Sequence, residues 1–429
     1  MKINSRNTLF WAADKLKKSR VRHYYDHIKR SIETNDVSLV CSDHEEKITE
    51  LVTNVQSIVP FYRNQVATCL DSFPVVTKSI IKKDVLQFRS SLFSEKMVTK
   101  VSTSGSTGIP FTVYQDKEKK WRNTADTLYF SNRVGYVLGE KLFYFRLWDA
   151  FQKKSHWVQQ LQNIVPVDVA ALSENIGEIF RSMSKFSHMH CIGYVSAYET
   201  LCRYAEEQSV QPTPKIKSAI AISEALPPAL KERFFTVFNC PLISRYSNSE
   251  CGILAQQEAT SHEYKVNTAS YYIEILNLHT DTPVPVGTMG RIVVTDLYNK
   301  AMPLVRYDTG DLGMAASILP NGAVSILSVI EGRKIDIIYD INGKALNYNI
   351  THIFGQYPEV EQFQFIQKNR NEFVLKLKYQ EDFKCIEEIV SRLQSYLGKE
   401  AIITVKRVED IPLLPSGKRK IISNEMNEN

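Results

Sequence analysis

The chain has 429 residues, 43% hydrophobic and 23% charged, with 21 Tyr and 20 Phe, which suits a large globular domain plus a smaller one and argues against disorder through the middle. Its net charge of +6 comes from Lys and Arg scattered among nearly as many acids. That is the wrong distribution for a nucleic-acid binder, and it suits a small anion such as a nucleotide equally well. Seven cysteines form no CxxC pair, so the expectation is a reducing compartment, with neither a disulfide framework nor a zinc ribbon. Met1-Lys2-Ile3-Asn4-Ser5-Arg6 leads into no apolar run with a cleavage site, and no bilayer-length apolar stretch follows. A cytoplasmic protein without stable membrane insertion is expected.

Leu9, Phe10, Ala13 and Leu16 fall at helical spacing, so residues 7–60 read as helical, with a solvated basic face from Lys15 to Lys29. Phe73-Pro74-Val75-Val76-Thr77-Lys78 starts a turn into a short charged helix, and residues 98–101 read as a strand. A loop of small residues follows, and 109–113 continues as a strand. Asp116-Lys117-Glu118-Lys119-Lys120 reads as a solvated helix start. From 120 to 330, strand-like and helix-like segments alternate: Phe143-Tyr144-Phe145 and 219–222 as buried strands, 196–207 and 227–238 as amphipathic helices. That alternation predicts α/β layers. Residues 271–276 and 291–295 are β-rich, with turn residues at Pro283, Pro285 and Gly287. Beyond Gly332 the pattern changes to strands at 335–339, 363–367, 373–377 and 401–405 with a helix over 383–397, a compact α+β unit. The predicted architecture is therefore a large layered α/β domain over 1–331, its N-terminal helices spanning about 1–70, and a small mobile α+β domain over 332–429 that carries a lysine loop.

Several segments carry chemistry. Ser102-Thr103-Ser104-Gly105-Ser106-Thr107-Gly108 packs hydroxyls and glycines between two strands, as a phosphate-cradling loop does, although it lacks the GK[ST] of a Walker loop; a surface linker has the same composition. Arg245-Tyr246-Ser247-Asn248-Ser249-Glu250 offers an aromatic ring for a base and a carboxylate for Mg²⁺. Arg306-Tyr307-Asp308-Thr309-Gly310-Asp311 offers carboxylates beside a turn glycine that suit ribose hydroxyls. Glu331-Gly332-Arg333 adds a cation, and Pro415-Ser416-Gly417-Lys418 presents a lysine on a glycine turn. His188-Met189-His190 lacks a third ligand and reads as structural. Cys251 has no histidine partner and reads as a small buried residue. Tyr129, Phe130 and Tyr136 either line a pocket or fill the core.

In order and spacing these segments resemble the adenylate-forming superfamily of acyl-CoA synthetases, luciferases and peptide-synthetase adenylation domains. The nearest branch is the phenylacetate–CoA ligase group, and within it the capsular-polysaccharide-biosynthesis relatives. Phe73-Pro74-Val75-Val76-Thr77-Lys78, Ile192-Gly193-Tyr194-Val195-Ser196, Ile222-Ser223-Glu224, Pro303-Leu304-Val305-Arg306-Tyr307 and Gln362-Phe363-Gln364-Phe365-Ile366-Gln367 are similar to motifs of that branch. The resemblance runs from about 70 to 420. It implies ATP and Mg²⁺ as cofactors and a carboxylic acid as substrate. The 102–108 loop would wrap the phosphates, Ser223 and Glu224 line the adenine pocket, and Tyr246 stack on the base. Ser249 would touch phosphate, Glu250 hold Mg²⁺, Asp311 bind the ribose with Arg333 nearby, and Lys418 reach the carboxylate and α-phosphate.

Three departures stand out. Ser247 replaces the glycine expected after the stacking tyrosine. Ile335 occupies the position of the usual hinge aspartate, with Asp336 one place later, and Glu258 sits where some branch members carry a zinc-ligating cysteine, before His262. No zinc is therefore expected. The hinge departure leans the reading of the acceptor towards an amine, the alternative being a CoA thiol. A protein that holds nucleotide without turnover is the third reading, against which the retention of Glu250, Asp311 and Lys418 argues.

Overall fold

The computed structural model describes residues 4–426 apart from 66, 103–110, 149–154, 209–214, 334–337, 344–345, 347–349, 351–352, 355, 358, 380–382, 413 and 415–418, and apart from the side chains of 332–333. The chain starts with α1 (Ser5–Leu16), α2 (Arg20–Glu33) and α3 (Val37–Ile58). Of the residues whose spacing marked α1, Phe10 packs against a core cluster, but Leu9 is 63% and Leu16 88% exposed, whereas Asp14 is buried. Its carboxylate accepts the backbone N–H groups of Val21 at 3.0 Å and Arg22 at 2.9 Å, so an acid closes the first turn of α2. Among the described residues no helix is long and apolar enough to cross a membrane, and all seven cysteines are unpaired.

The short strand β1 (Val76–Thr77) leads into α4 (Lys78–Lys83), and β2 (Thr99–Ser102) pairs with β3 (Thr112–Gln115) as a small hairpin ahead of α5 (Lys117–Arg133). The α/β layering then appears as expected. Strands β4 (Leu142–Arg146), β5 (Ile164–Asp168), β6 (His188–Tyr194), β7 (Lys215–Ile222) and β8 (Leu242–Asn248) run parallel in the order β5-β4-β6-β7-β8. Helices α6 (His156–Gln162), α7 (Leu172–Met183), α8 (Val195–Glu207) and α9 (Pro228–Phe238) supply the crossovers. Strands buried on both faces read as continuous apolar runs, which is why 219–222 was legible from sequence. Gly193 is required by space: a Cβ there would lie 2.6 Å from Cβ and 2.7 Å from the carbonyl oxygen of Phe145 on the neighbouring strand.

Past β8 the same sheet turns antiparallel through β9 (Gly252–Gln257), β10 (Tyr264–Val266), β11 (Tyr271–Leu276), β12 (Met289–Asp296), β13 (Tyr307–Ile318) and β14 (Val324–Arg333). One core lies between the parallel strands and α7–α9; a second joins the antiparallel half to α3 and the segment around Tyr62, Phe73 and Phe88. Tyr129 and Phe130 are buried in a third cluster with α2. A separate four-stranded sheet, ordered β17-β16-β15-β18, contains β15 (Val360–Gln367), β16 (Glu372–Tyr379), β17 (Ile402–Arg407) and β18 (Ile422–Asn424), packed with α10 (Ile386–Leu397). The strand expected at 335–339 falls largely outside the described residues.

The charged start of α5 corrects the sequence reading. Asp116 and Lys119 are buried, not solvated. Asp116 caps the helix by accepting Lys119 N–H at 2.9 Å, and its other oxygen accepts Lys300 N–H at 2.8 Å. Lys119 Nζ reaches Asp296 Oδ2 at 2.8 Å, out of line for a hydrogen bond, and donates to Tyr271 Oη at 3.0 Å. A run of alternating charges is normally a wet helix face; here tertiary packing drops a β-strand carboxylate opposite the lysine. Replacing Lys119 with Met leaves Asp296 buried without its cation and should destabilise the fold by about 3–5 kcal/mol. Urea unfolding measures this, and the double variant Lys119→Met/Asp296→Leu should recover a large part of the loss.

Candidate active site

Of the sequence-predicted residues that are described, Ser223, Glu224, Tyr246, Ser249 and Glu250 stand at or near the carboxyl ends of β7 and β8, where open parallel sheets bind ligands. Ser223 and Glu224 follow β7 directly. Ser223 is exposed and takes a left-handed φ of 71°, which turns the chain so that the Glu224 carboxylate accepts the Ser196 N–H at the start of α8 at 3.1 Å. Ser249, exposed, and Glu250, buried, follow β8, where Asn248 Oδ1 accepts the Cys251 N–H at 2.7 Å and tightens the turn. Cys251 is fully buried.

Glu250 is held by partners the sequence reading did not name. Its Oε1 accepts Lys78 Nζ at 2.9 Å and Tyr307 Oη at 3.2 Å. Lys78 also lies 4.9 Å from the ring centroid of Phe111. The pairing of β1 with β13, Val76 opposite Tyr307, sets Lys78 one residue past the strand and beside the carboxylate. Burial and the Glu250 carboxylate push the Tyr307 phenol well above its ordinary pKa, so it remains a donor. The clue to Lys78 lay in the 73–78 motif, whose last residue had no role until a partner 172 positions away was known.

Tyr246 and Asp311, predicted to serve base and ribose, are in direct contact: Tyr246 Oη donates to Asp311 Oδ2 at 2.8 Å. Thr309 Oγ1 in turn accepts the Asp311 N–H at 3.1 Å. Burial and the carboxylate hold the Tyr246 phenol well above its usual value. Arg333 stands opposite Asp311 in the β13–β14 pairing. Ser102 closes the β2–β3 hairpin, its hydroxyl 2.9 Å from that of Thr112. Of the predicted phosphate loop, Thr103, Ser104, Gly105, Ser106, Thr107 and Gly108 lie outside the described residues, as do Lys418 and the hinge positions Ile335 and Asp336.

Both flanks of the lysine loop are described. Gln362 donates to Asp410 Oδ1 at 2.9 Å and accepts the Ile411 N–H at 2.8 Å, while Gln364 donates to the Lys420 carbonyl at 2.8 Å. The glutamines of the 362–367 motif thus grip the chain on either side of residues 415–418. Arg419 then anchors this segment to the large sheet: its N–H donates to Glu224 Oε1 at 2.9 Å and its guanidinium pairs with Glu199 of α8. The nominal adenine-pocket acid and the residue after Lys418 are therefore neighbours.

On the other side of β8 lies a cavity of about 570 Å³ walled by α1, α2, α5 and the parallel strands. Tyr136, Arg245 and Ser247 line it, so of the three aromatic candidates only Tyr136 faces the pocket. His190, read as structural, also lines it, with its Nδ1 2.7 Å from Ser218 Oγ. Burial pushes His190 down to about 4, so it is neutral near pH 7. Mg²⁺ takes few protein carboxylates and completes its shell with water and phosphate oxygens. Glu250 offers one such carboxylate, and no cluster of three metal-ligating side chains occurs among the described residues, so the donor set fits a cation shared with nucleotide phosphates.

Residues 338–425 match the family model of the CapK C-terminal domain. The protein CapK of Staphylococcus aureus is 23% identical over 437 residues, covering 96% of this chain and 94% of its own length. Among solved structures, 2-hydroxyisobutyryl-CoA ligase in the postadenylation state, bound to an acyl-AMP, superposes with a TM-score of 0.72 at 15% identity, covering 91% of this chain and 90% of that one. The same ligase with CoA in the thioesterification state gives 0.58 at 16% identity, covering 92% of each. The chain therefore has the adenylate-forming ligase fold, with a C-terminal part that matches the CapK C-terminal domain.

Proposed function

We propose that this protein joins a carboxylic acid to MgATP, forming an acyl-adenylate and releasing pyrophosphate, and then passes the acyl group to an amine. The observation that carries the reading is the division of labour across β8. Tyr246 meets Asp311 on one face, Arg245 and Ser247 line a cavity on the other, and Glu250 stands at the strand's end. Nucleotide and acid would thus meet where one backbone strand stops. In this reading Ser102 to Gly108 wrap the phosphates, Ser223 and Glu224 flank adenine, and Tyr246 stacks on it. Asp311 holds the ribose with Arg333 nearby, and Ser249 touches phosphate. Residues 1–331 act as the large domain and 332–429 as the small one.

The chemistry needs charge compensation. A carboxylate oxygen attacks the α-phosphorus as the bond to the pyrophosphate oxygen breaks, so two anions are driven together. Mg²⁺, held by Glu250 and phosphate oxygens, would offset the phosphate charge. Lys418 would offset the charge developing between carboxylate and α-phosphate. The grip of Gln362 and Gln364 on both flanks of residues 415–418 limits where that lysine can go, which favours preorganisation over search. Purified protein should catalyse ATP–pyrophosphate exchange only with a suitable acid and Mg²⁺, and Lys418→Ala should slow it by roughly a hundredfold or more with little change in ATP affinity. Formation of ADP instead of AMP, or a wild-type rate in the variant, contradicts the reading.

The amine acceptor rests on the hinge: Ile335 stands where a charged pivot is expected, and an amine reaches a bound adenylate without a pantetheine channel. The thiol reading has the likeness in fold to a CoA ligase in its favour. Acyl-adenylate made in place and offered CoA, amino acids and amino sugars separately should yield amide with an amine. Rapid, saturable thioester formation with no amide above background would establish CoA as the acceptor.

A further inference from the structure

Arg245 is an unusual wall for an acid-binding cavity. It is 5% exposed, on a central strand, and no Asp or Glu of the described residues pairs with it. Its Nε donates to Gln256 Oε1 at 2.7 Å and its Nη2 to Ser131 Oγ at 3.2 Å, both neutral groups. Burial without a counter-charge pushes its pKa down to about 10, which still leaves it cationic at neutral pH. A buried, unpaired guanidinium is costly, and proteins normally match one with a carboxylate. Of the other buried arginines among the described residues, Arg291 pairs with Asp308 and Arg306 with Glu274 at 2.9 Å, and Arg122 stands 4.0 Å from Asp126.

Among the described residues no Asp or Glu lines the cavity, although Glu140 stands 3.0 Å from His190 Nε2 and Asp26 stands 3.8 Å from Arg22. Arg22 is a second cation in the lining, 3.8 Å above the Trp11 ring. His190 is held neutral and adds no charge of either sign. The position of Arg245 separates it from the reaction centre. It lies two residues upstream of Ser247 on the same strand face, and further still from Glu250, so an acid whose reacting carboxylate sits at the strand's end extends its far end towards the guanidinium.

Building on the acid-activation reading, we infer that the substrate carries a second anionic group that Arg245 receives, making this an enzyme for a dicarboxylic acid or an equivalent dianion, with Arg245 as the specificity-determining residue. The cavity is of ligand size, and Trp11, Tyr25, Tyr136 and Tyr144 give it aromatic walls, which suits a ring between the two charges.

The test uses matched pairs that differ only in the second charge, such as terephthalate against 4-carbamoylbenzoate and glutarate against its monoamide, in ATP–pyrophosphate exchange with the full chain. The diacid of at least one pair should be preferred on the order of a hundredfold in kcat/KM, the scale of an unpaired buried charge. Arg245→Gln should bring that ratio close to one, and Arg245→Lys should retain part of it. A purely structural arginine would lower both members of a pair together and leave the ratio intact, which would overturn the inference. So would wild-type protein that activates the monoamides as well as the diacids, a result independent of whether the variants fold. If no acid supports exchange, the activation reading fails separately. Calorimetric binding of the same pairs without ATP then decides: diacid preference abolished by Arg245→Gln supports the inference, and absence of that preference overturns it.

Discussion

The arrangement of the site hangs on Arg306. Its backbone takes a left-handed φ of 46°, a conformation that disfavours a bulky side chain and must be compensated by its surroundings. The compensation is visible. The guanidinium is buried against Glu274 and donates at 3.0 Å to the carbonyl oxygens of both Asp71 and Phe73, while the Arg306 carbonyl accepts the Val76 N–H at 3.0 Å. One side chain thus sews the 71–76 segment to the start of β13. Without that seam β1 would have no register with Tyr307, and Lys78 would have no reason to stand beside Glu250.

From this seam the two halves of the sheet become one site. The parallel half delivers strand ends at Ser223 and Glu250; the antiparallel half delivers Tyr307 and Asp311. They join where β8 pairs parallel with β7 and antiparallel with β9. Because side chains alternate along a strand, β8 sends Tyr246 towards Asp311 and its neighbours Arg245 and Ser247 into the cavity. A single residue of slip would exchange the side that meets Asp311 for the side that lines the cavity, so the register of β8 decides which of its residues faces which.

The C-terminal sheet meets this centre through polar contacts. Arg419 reaches Glu199 and Glu224, and the glutamines of β15 hold the chain on both sides of residues 415–418. The Arg419–Glu199 pair is partly buried, its side chains 13% and 25% exposed, so this seam is held by charge and hydrogen bonds.

What the sequence determined by itself was whatever depends on neighbours in the chain. The α/β alternation, the buried strand at 219–222, the two strand-end motifs and the order of the segments were legible because periodicity and turn chemistry act over a few residues. Resemblance assigned roles to Tyr246 and Asp311, and the structure puts the two side chains in contact at 2.8 Å. Only the tertiary structure decided the rest. Lys119 looked solvated until Asp296, on a distant strand, was folded against it. Leu9 and Leu16 marked a helix by their spacing, but that spacing did not say that Asp14 is the buried residue of that helix while both leucines are exposed. Lys78 and Tyr307 acquired a partner in a carboxylate remote in sequence, and Arg245 became informative only when no described Asp or Glu proved to pair with it. Charge, burial and partnership are properties of the space around a side chain, and that space is filled by residues whose sequence separation no local pattern records.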